Sequence, residues 1–124
     1  MVLRVWHRIC IQRIAMLDHV AGQLERYMDL LSVRQKLVAS NIANADTPGY
    51  RTQDIDFQSE FQNAIGSPQI IQVGGLQVKN DGNDVSLDRE ARLLSENALR
   101  FQMASQLMKS QIHAVQSAIQ EGKS

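Results

Sequence analysis

Apolar residues recur at alternating steps of four and three across residues 17–45. This spacing places every member of the row on one narrow side of an α-helix, as in helices that pack lengthwise on another helix. The row has one polar member and consists of Leu17, Ala21, Leu24, Met28, Leu31, Gln35, Val38, Ile42 and Ala45. It predicts a helix over residues 16–47 that ends before Pro48, because proline disfavours helical dihedrals at the preceding residue.

A second row with the same rhythm lies near the other end of the chain. Its members are Leu87, Ala91, Leu94, Ala98, Phe101, Ser105, Met108, Ile112, Val115 and Ile119. Asp84 and Ser86 precede the row as candidate N-caps, and Gly122 follows it as a terminating glycine. The pattern predicts a C-terminal helix over residues 86–121 and a tail of residues 122–124.

Periodicity alone does not say whether the two rows cover one another or cover copies of themselves. Either arrangement gives a mainly α fold in which the terminal helices pack as a coiled-coil-like pair or as the wall of a tube. Aromatic residues make up only 5% of the chain. That scarcity favours an elongated helical object that completes its burial against neighbours.

The middle segment, residues 48–85, is predicted to be a turn followed by irregular or β structure. Pro48-Gly49 suits the central positions of a type II turn. Asp54 and Asp56 precede a short apolar pattern that predicts one or two helical turns and consists of Phe57, Phe61 and Ile65. Farther along, apolar residues flank Gly74-Gly75 and permit a β-hairpin between residues 71–73 and 76–78, with a loop as the alternative.

Residues 1–15 form a segment whose role the sequence leaves open. It contains Arg4, Arg8 and Arg13 and no acidic residue, so the apolar stretch of a secretory signal peptide is interrupted. The segment either continues the N-terminal helix, or lies on an anionic membrane as a basic amphipathic helix. A third interpretation is that the protein starts at Met16 and the segment is an upstream extension.

Charge and composition exclude several functional classes. Thirteen basic and thirteen acidic residues balance, which argues against a nucleic-acid binder. No apolar run approaches the roughly 20 residues needed to cross a bilayer. The single cysteine, Cys10, cannot form a disulfide within the chain.

Catalytic and ligand-binding patterns are not found in the sequence. The three histidines, His7, His19 and His113, are scattered and none has a second ligand on the same helical turn. Gly74-Gly75 lacks the lysine and serine of a phosphate-binding loop. We therefore expect no metal, no cofactor, no small-molecule substrate and no enzymatic activity.

The segment 40–51 resembles the N-terminal signature of the bacterial flagellar rod and hook proteins. The matching residues are Asn41, Ile42, Ala43, Asn44, Thr47, Pro48, Gly49 and Tyr50. Segments 54–57, 84–90 and 97–102 are similar to the proximal rod members of this family, with the other short rod protein as the near alternative. The likeness covers roughly residues 16–121 and leaves the first fifteen residues outside it.

The resemblance implies a structural subunit of the flagellar basal body that assembles through its terminal helices into the axial drive shaft. Such subunits are exported through the flagellar type III channel and form the periplasmic rod. The implied partners are other copies, other rod proteins, the membrane-supramembrane ring, the export gate and the basal adaptor protein. A cytoplasmic coiled-coil adaptor or chaperone is the alternative from another class.

The signature also carries a mechanical hypothesis. Asn41 and Asn44 are expected to satisfy backbone groups that the end of the helix leaves unpaired, in the same subunit or in the next. The turn at Pro48-Gly49 would then redirect the chain outwards, and Tyr50 would anchor it on the wall of the tube. The two apolar rows would be covered by neighbouring subunits.

Overall fold

Two long helices dominate the computed structural model, which describes residues 2–63 and 66–121. In chain order the elements are α1 (Val2–Ala43), β1 (Gln53–Ile55), α2 (Phe57–Gln62), β2 (Ile70–Gln72) and α3 (Leu87–Glu121). At about 1.5 Å per residue, α1 and α3 are roughly 63 and 52 Å long. The expected mainly α class with two long packed helices is confirmed.

Local sequence explains where the long helices begin and end. α1 runs without a break across Met16, and its last turn closes when the amide of Asn44 donates to the carbonyl of Ser40 at 3.1 Å. Ser86 caps α3, since its hydroxyl accepts from the amide of Arg89 at 3.4 Å. Gly122 and the tail 122–124 lie outside the described residues.

α1 and α3 pack antiparallel, and a buried amide holds them together. The Nδ2 of Asn97 donates to the backbone oxygen of Leu31 at 2.8 Å and to Oε1 of Gln35 at 3.0 Å. Leu31 and Val38 are buried on α1, and Ala104 is buried on α3. A small residue at position 104 allows the two backbones to approach closely.

The apolar row of α3 does not face α1 in the monomer. Leu94 and Phe101 are 37% and 42% exposed, whereas Glu90, Asn97 and Ala104 are the buried residues of this helix. Each of these buried residues follows a member of the row by three positions, so the buried side of α3 is rotated by about 60° from the side that carries the row. The reason is that Glu90 and Asn97 bind polar partners on the other side of the interface, because burying these groups without hydrogen bonds would cost free energy. The row members exposed as large apolar side chains are Leu87, Leu94, Phe101, Ile112, Val115 and Ile119, while Met108 is half-buried.

The N-terminal row is only partly covered by α3. Leu31, Val38 and Ala45 are buried, but Gln35 and Ile42 are exposed. The remaining members are half-buried: Leu17, Ala21, Leu24 and Met28. Coverage therefore decreases along α1 away from the turn.

A second side of α1 packs on the middle segment. Leu30, Leu37 and Ile55 form a buried cluster, and three half-buried residues pack against it: Val33, Phe57 and Phe61. Tyr27 meets the two phenylalanine rings edge-on, with centroid distances of 5.2 and 5.7 Å. The predicted apolar row did not include Leu30 or Leu37, because they belong to a different side of the helix.

The two strands pair with each other rather than forming a hairpin at Gly74-Gly75. β1 and β2 are antiparallel, with Asp54 opposite Ile71, so the partner of the second strand precedes α2 in sequence. Isolated two-stranded ribbons are marginal in water. Here β1 lies on α1, where Ile55 is 2% exposed, and this packing favours the observed pairing.

The short helix forms where its aromatic spacing predicts it. Asp56 is the N-cap of α2, because its carboxylate accepts from the amide of Ser59 at 3.1 Å. Asp54, which also precedes this helix in the sequence, binds two arginines instead. Ile65, expected at the end of this helix, lies outside the described residues.

Burial predicts different costs for two leucines of the predicted rows. Replacing the fully buried Leu31 by alanine should lower the free energy of unfolding by about 2–5 kcal/mol. Leu94→Ala, at a 37% exposed position, should cost about 1 kcal/mol or less in the isolated subunit. Urea unfolding followed by circular dichroism measures both. Equal losses would show that the row of α3 is already covered in the monomer.

Candidate functional site

The signature segment forms a tight turn directly after α1. The amide of Tyr50 donates to the carbonyl of Thr47 at 3.2 Å, and Gly49 has a φ of 73°. A type II turn requires positive φ at its third residue, which a glycine adopts without a steric penalty. The turn has the geometry that Pro48-Gly49 predicts.

Residues 79–84 form a loop that lies against one side of this turn and is hydrogen-bonded to it. We call this loop the clasp. Asn83 is fully buried, and its Nδ2 donates to the carbonyls of Asn44 at 2.9 Å and Thr47 at 2.8 Å. The amide of Gly49 donates to the carbonyl of Asp81 at 2.9 Å. Gly82 lies so close that an added Cβ would be 3.4 Å from the Cα of Gly49. The clasp therefore binds the backbone of the turn through the side chain of Asn83 and the carbonyl of Asp81.

Asn41 connects the end of α1 to two other elements. Its Nδ2 donates to the carbonyl of Gln53 at 2.8 Å and to Oε2 of Glu90 at 3.1 Å. Its Oδ1 accepts from the amide of Gln53 at 3.0 Å and from the hydroxyl of Tyr50 at 3.2 Å. All the hydrogen-bonding capacity of this amide is used, which is what a fully buried amide requires.

Around Asn41 lies a network of charges that we call the polar hub, consisting of Arg34, Asn41, Asp54, Arg89 and Glu90. Asp54 accepts from the Nε of Arg34 and from the Nη2 of Arg89, each at 2.8 Å. Arg89 also donates to Oε1 of Glu90 at 2.6 Å. Two arginines thus balance two carboxylates, and the hub joins α1, β1 and α3.

The burial of the hub explains why its partners must all be present. Glu90 is fully buried and Asp54 is 6% exposed. A charge removed from water is tolerated only when opposite charges and hydrogen bonds surround it, and removing one partner leaves an uncompensated ion. Such a network discriminates strongly between arrangements, so it fixes how β1 and α3 are placed on α1.

A further carboxylate joins the clasp to β1. Asp84 is 1% exposed; its Oδ1 accepts from the amide of Thr52 at 2.6 Å, and its Oδ2 lies 3.1 Å from the Nε of Arg51. Burial alone would raise the pKa of Asp84, but the hydrogen bond from Thr52 and the charge of Arg51 outweigh it and lower the pKa. This carboxylate is therefore used for cross-linking within the fold rather than for capping α3.

The chemistry of these groups is structural. In residues 2–63 and 66–121, no group of three or more histidine, cysteine, aspartate or glutamate side chains is arranged to hold a metal ion. Within that same part of the chain, no helix is both long and apolar enough to cross a bilayer. The hub carboxylates are engaged by arginines and by Asn41, which leaves them poorly placed for proton transfer.

The comparisons with known proteins agree on one family. A family model described as flagella basal body rod protein matches residues 28–51. The flagellar basal body rod protein FlgB of Salmonella typhimurium is 31% identical, over 86% of this chain and 99% of the relative. The chain belongs to the FlgB family of flagellar basal body rod proteins. FlgB of Escherichia coli K12 is 32% identical with the same coverage, and FlgB of Bacillus subtilis is 24% identical over 81% of this chain and 92% of the relative.

Family membership confirms the resemblance that the signature carries. In this FlgB-family chain the region matched by the family model covers the C-terminal part of α1 and the turn, including Arg34 and Asn41 of the hub. The matched residues do not all point inwards. Asn41 is buried and Asn44 and Tyr50 are half-buried, whereas the other matching residues are exposed: Ile42, Ala43, Thr47, Pro48 and Gly49.

Two details of the mechanical hypothesis change. Asn44 does satisfy the helix end, since its Nδ2 donates to the carbonyl of Ser40 at 2.8 Å, but Asn41 binds β1 and α3 instead. The hydroxyl of Tyr50 is turned back towards Asn41 and lies 3.3 Å from that of Ser40. Its ring is half-buried in its own subunit, so it is not a free outward anchor.

Sequence reasoning missed most of the FlgB-family hub. The sequence pattern gives no site role to Arg34, Arg89, Glu90 or Asn83, and it places Asp54 only before the short helix. One signal was available: Arg34 and Asn41 are seven residues apart, and so are Glu90 and Asn97. Two polar residues seven positions apart lie on the same side of a helix. Such a pair beside an apolar row indicates that a second side of the helix is also packed against other elements.

Removing the amide at the centre of the hub should destabilise the subunit. Asn41→Ala leaves the backbone of Gln53 and an oxygen of Glu90 without a partner in a dry site, so the free energy of unfolding should fall by about 2–4 kcal/mol. Chemical denaturation measures the loss. The exposed Asn80→Ala is the matched control and should change stability by less than about 0.5 kcal/mol. Similar values for the two variants would contradict the central role of Asn41.

The two glycines at positions 49 and 22 should respond in opposite directions. Gly49→Val forces a β-branched residue to a φ of 73° and should cost about 1–3 kcal/mol. Gly22→Ala, inside α1 with nothing within 4 Å of the added Cβ, should raise stability by about 0.5–1 kcal/mol. Thermal unfolding of the two variants tests this, and an unchanged Gly49→Val protein would show that the turn tolerates another conformation.

Proposed function

We propose that this FlgB-family chain is a structural subunit of the proximal flagellar rod, which self-assembles through its terminal helices into the axial drive shaft for motility. The observation that carries the proposal is the exposed apolar surface of α3. Nine large apolar side chains on this helix are between 37% and 59% exposed. They are Leu87, Leu94, Leu99, Phe101, Met103, Leu107, Ile112, Val115 and Ile119.

The size of this surface supports assembly. These side chains follow α3 on two sides and along most of its length, whereas the apolar residues on the surface of a typical monomer are scattered singly or form small patches. An elongated protein with such a surface reaches full burial only when other helices pack along it.

The distribution of polar and apolar contacts supports a mechanical role. The hub and clasp tie the ends of both helices to the middle segment, whereas α3 is exposed throughout residues 112–121. We assign residues 16–47 to the N-terminal rod segment, whose helix ends at Ala43, residues 86–121 to the C-terminal rod helix, and residues 48–85 to the connecting segment. The two apolar rows and the signature are the assembly residues, and no catalysis is proposed.

The proposal includes the route and the neighbours of the subunit. Export through the flagellar type III channel would deliver the chain to the periplasmic part of the basal body. Other copies and other rod proteins would cover the helices, and the membrane-supramembrane ring, the export gate and the basal adaptor protein would lie near the base. Family membership supports assembly with other flagellar proteins in the rod.

Complementation tests the proposed function. The full chain, expressed in a bacterium that lacks its own FlgB, should restore swimming in soft agar and should copurify with hook–basal bodies. A form that starts at Met16 should do the same if residues 1–15 are dispensable for assembly. Expression without swimming, with the protein retained in the cytoplasm, would contradict the rod assignment and favour an adaptor or chaperone.

A further inference from the structure

A second apolar surface lies beside the packed helices and is separate from the row of α3. It is a groove of about 680 Å³ between α1, α2 and α3. We call it the side groove, and its apolar lining includes Leu24, Tyr27, Phe61, Leu99, Met103 and Leu107. Leu99, Met103 and Leu107 are 55–59% exposed, so the groove is open to an incoming helix.

The side groove and the exposed row of α3, here called the outer row, face different directions. Phe101 of the outer row and Met103 of the groove are two positions apart, which is about 160° around a helix of 3.6 residues per turn. One neighbouring helix therefore cannot cover both surfaces. Each copy of the chain presents two apolar surfaces that call for two separate neighbours.

We propose that the outer row of one copy seats in the side groove of the next copy; this deepens the proposed rod function and rests on it. From Leu87 to Met108 the outer row has no charged member, so it brings no charge of its own into the groove. The charged residues at the groove, Glu96 and Arg100, already neutralise each other. This ion pair leaves the groove without a net charge.

Shape and length also match. The row alternates large and small residues, Leu94, Ala98 and Phe101, which is the pattern that lets side chains of a facing helix enter between them. On α3 the groove extends from Glu96 to Leu107, which is about 17 Å at 1.5 Å per residue. A stretch of equal length covers the outer row from Leu94 to Ser105.

The geometry determines the kind of assembly. A two-fold dimer with one outer row against another would leave both side grooves open. A row-in-groove contact joins two different surfaces, so every added copy presents a new row or a new groove. Such a contact propagates, and it covers both apolar surfaces of every interior copy.

Cysteine cross-linking in assembled basal bodies tests the contact. In a full-length protein with Cys10→Ser, Phe101→Cys marks the outer row and Met103→Cys marks the side groove. These positions are 42% and 57% exposed, so the substitutions leave the fold intact. Their side chains point away from each other within one chain, which excludes an internal disulfide. We expect the double variant to give a ladder of disulfide-linked copies after oxidation, and each single variant to stay monomeric.

A matched control and the remaining outcomes separate the contact from the rod function. Lys109 is exposed and lies about 120° around α3 from Met103, outside the groove, so Phe101→Cys with Lys109→Cys should give no ladder. Dimers of the Phe101→Cys single variant would indicate row-on-row packing and overturn the inference. So would incorporation into basal bodies without a ladder, or cross-links to a different protein only, although rod function would stand. Absence of the Cys10→Ser protein from basal bodies would instead overturn the proposed function.

Discussion

The amide of Asn41 is the interaction on which the rest of the structure depends. It is fully buried, yet it satisfies both backbone groups of Gln53, one oxygen of Glu90 and the hydroxyl of Tyr50. Both a donor and an acceptor are needed at this point. A carboxylate in the same place would face Glu90 with like charge, and an apolar residue would leave the backbone of β1 unpaired. The geometry of the site therefore specifies an amide.

The placement of α3 follows from this constraint. Glu90 can reach Asn41 and Arg89 can reach Asp54 only if the first turn of α3 presents its polar side to α1. About two helical turns later, Asn97 must also face α1, because it binds Leu31 and Gln35. Since a helix is rigid about its axis, these contacts at the turn end determine which side of α3 remains outside for its whole length. The apolar row is the side that remains.

Much of the fold could be predicted from the sequence because it depends on local signals. Helical periodicity located both long helices, and Pro48-Gly49 located the turn, since proline and glycine restrict backbone dihedrals directly. The pairing of β1 with β2 and the rotation of α3 could not be predicted in the same way. They depend on contacts such as Asn41 with Glu90, 49 residues apart, whose strength comes from burial. Of the candidate site, the signature was recognised and most of the hub was not.

The hub also explains how a subunit can fold and still remain competent to assemble. If α3 turned by about 60°, its apolar row would cover α1 and the monomer would bury its own assembly surface. That rotation would move Glu90 and Asn97 away from their partners and leave a buried charge and buried amides unsatisfied. The cost of unpaired polar groups in a dry interface is of the same order as the apolar gain, a few kcal/mol for each group. Specific polar contacts near the turn thus keep the apolar row of α3 exposed along the rest of the helix. This arrangement suits a protein that completes its packing in an assembly.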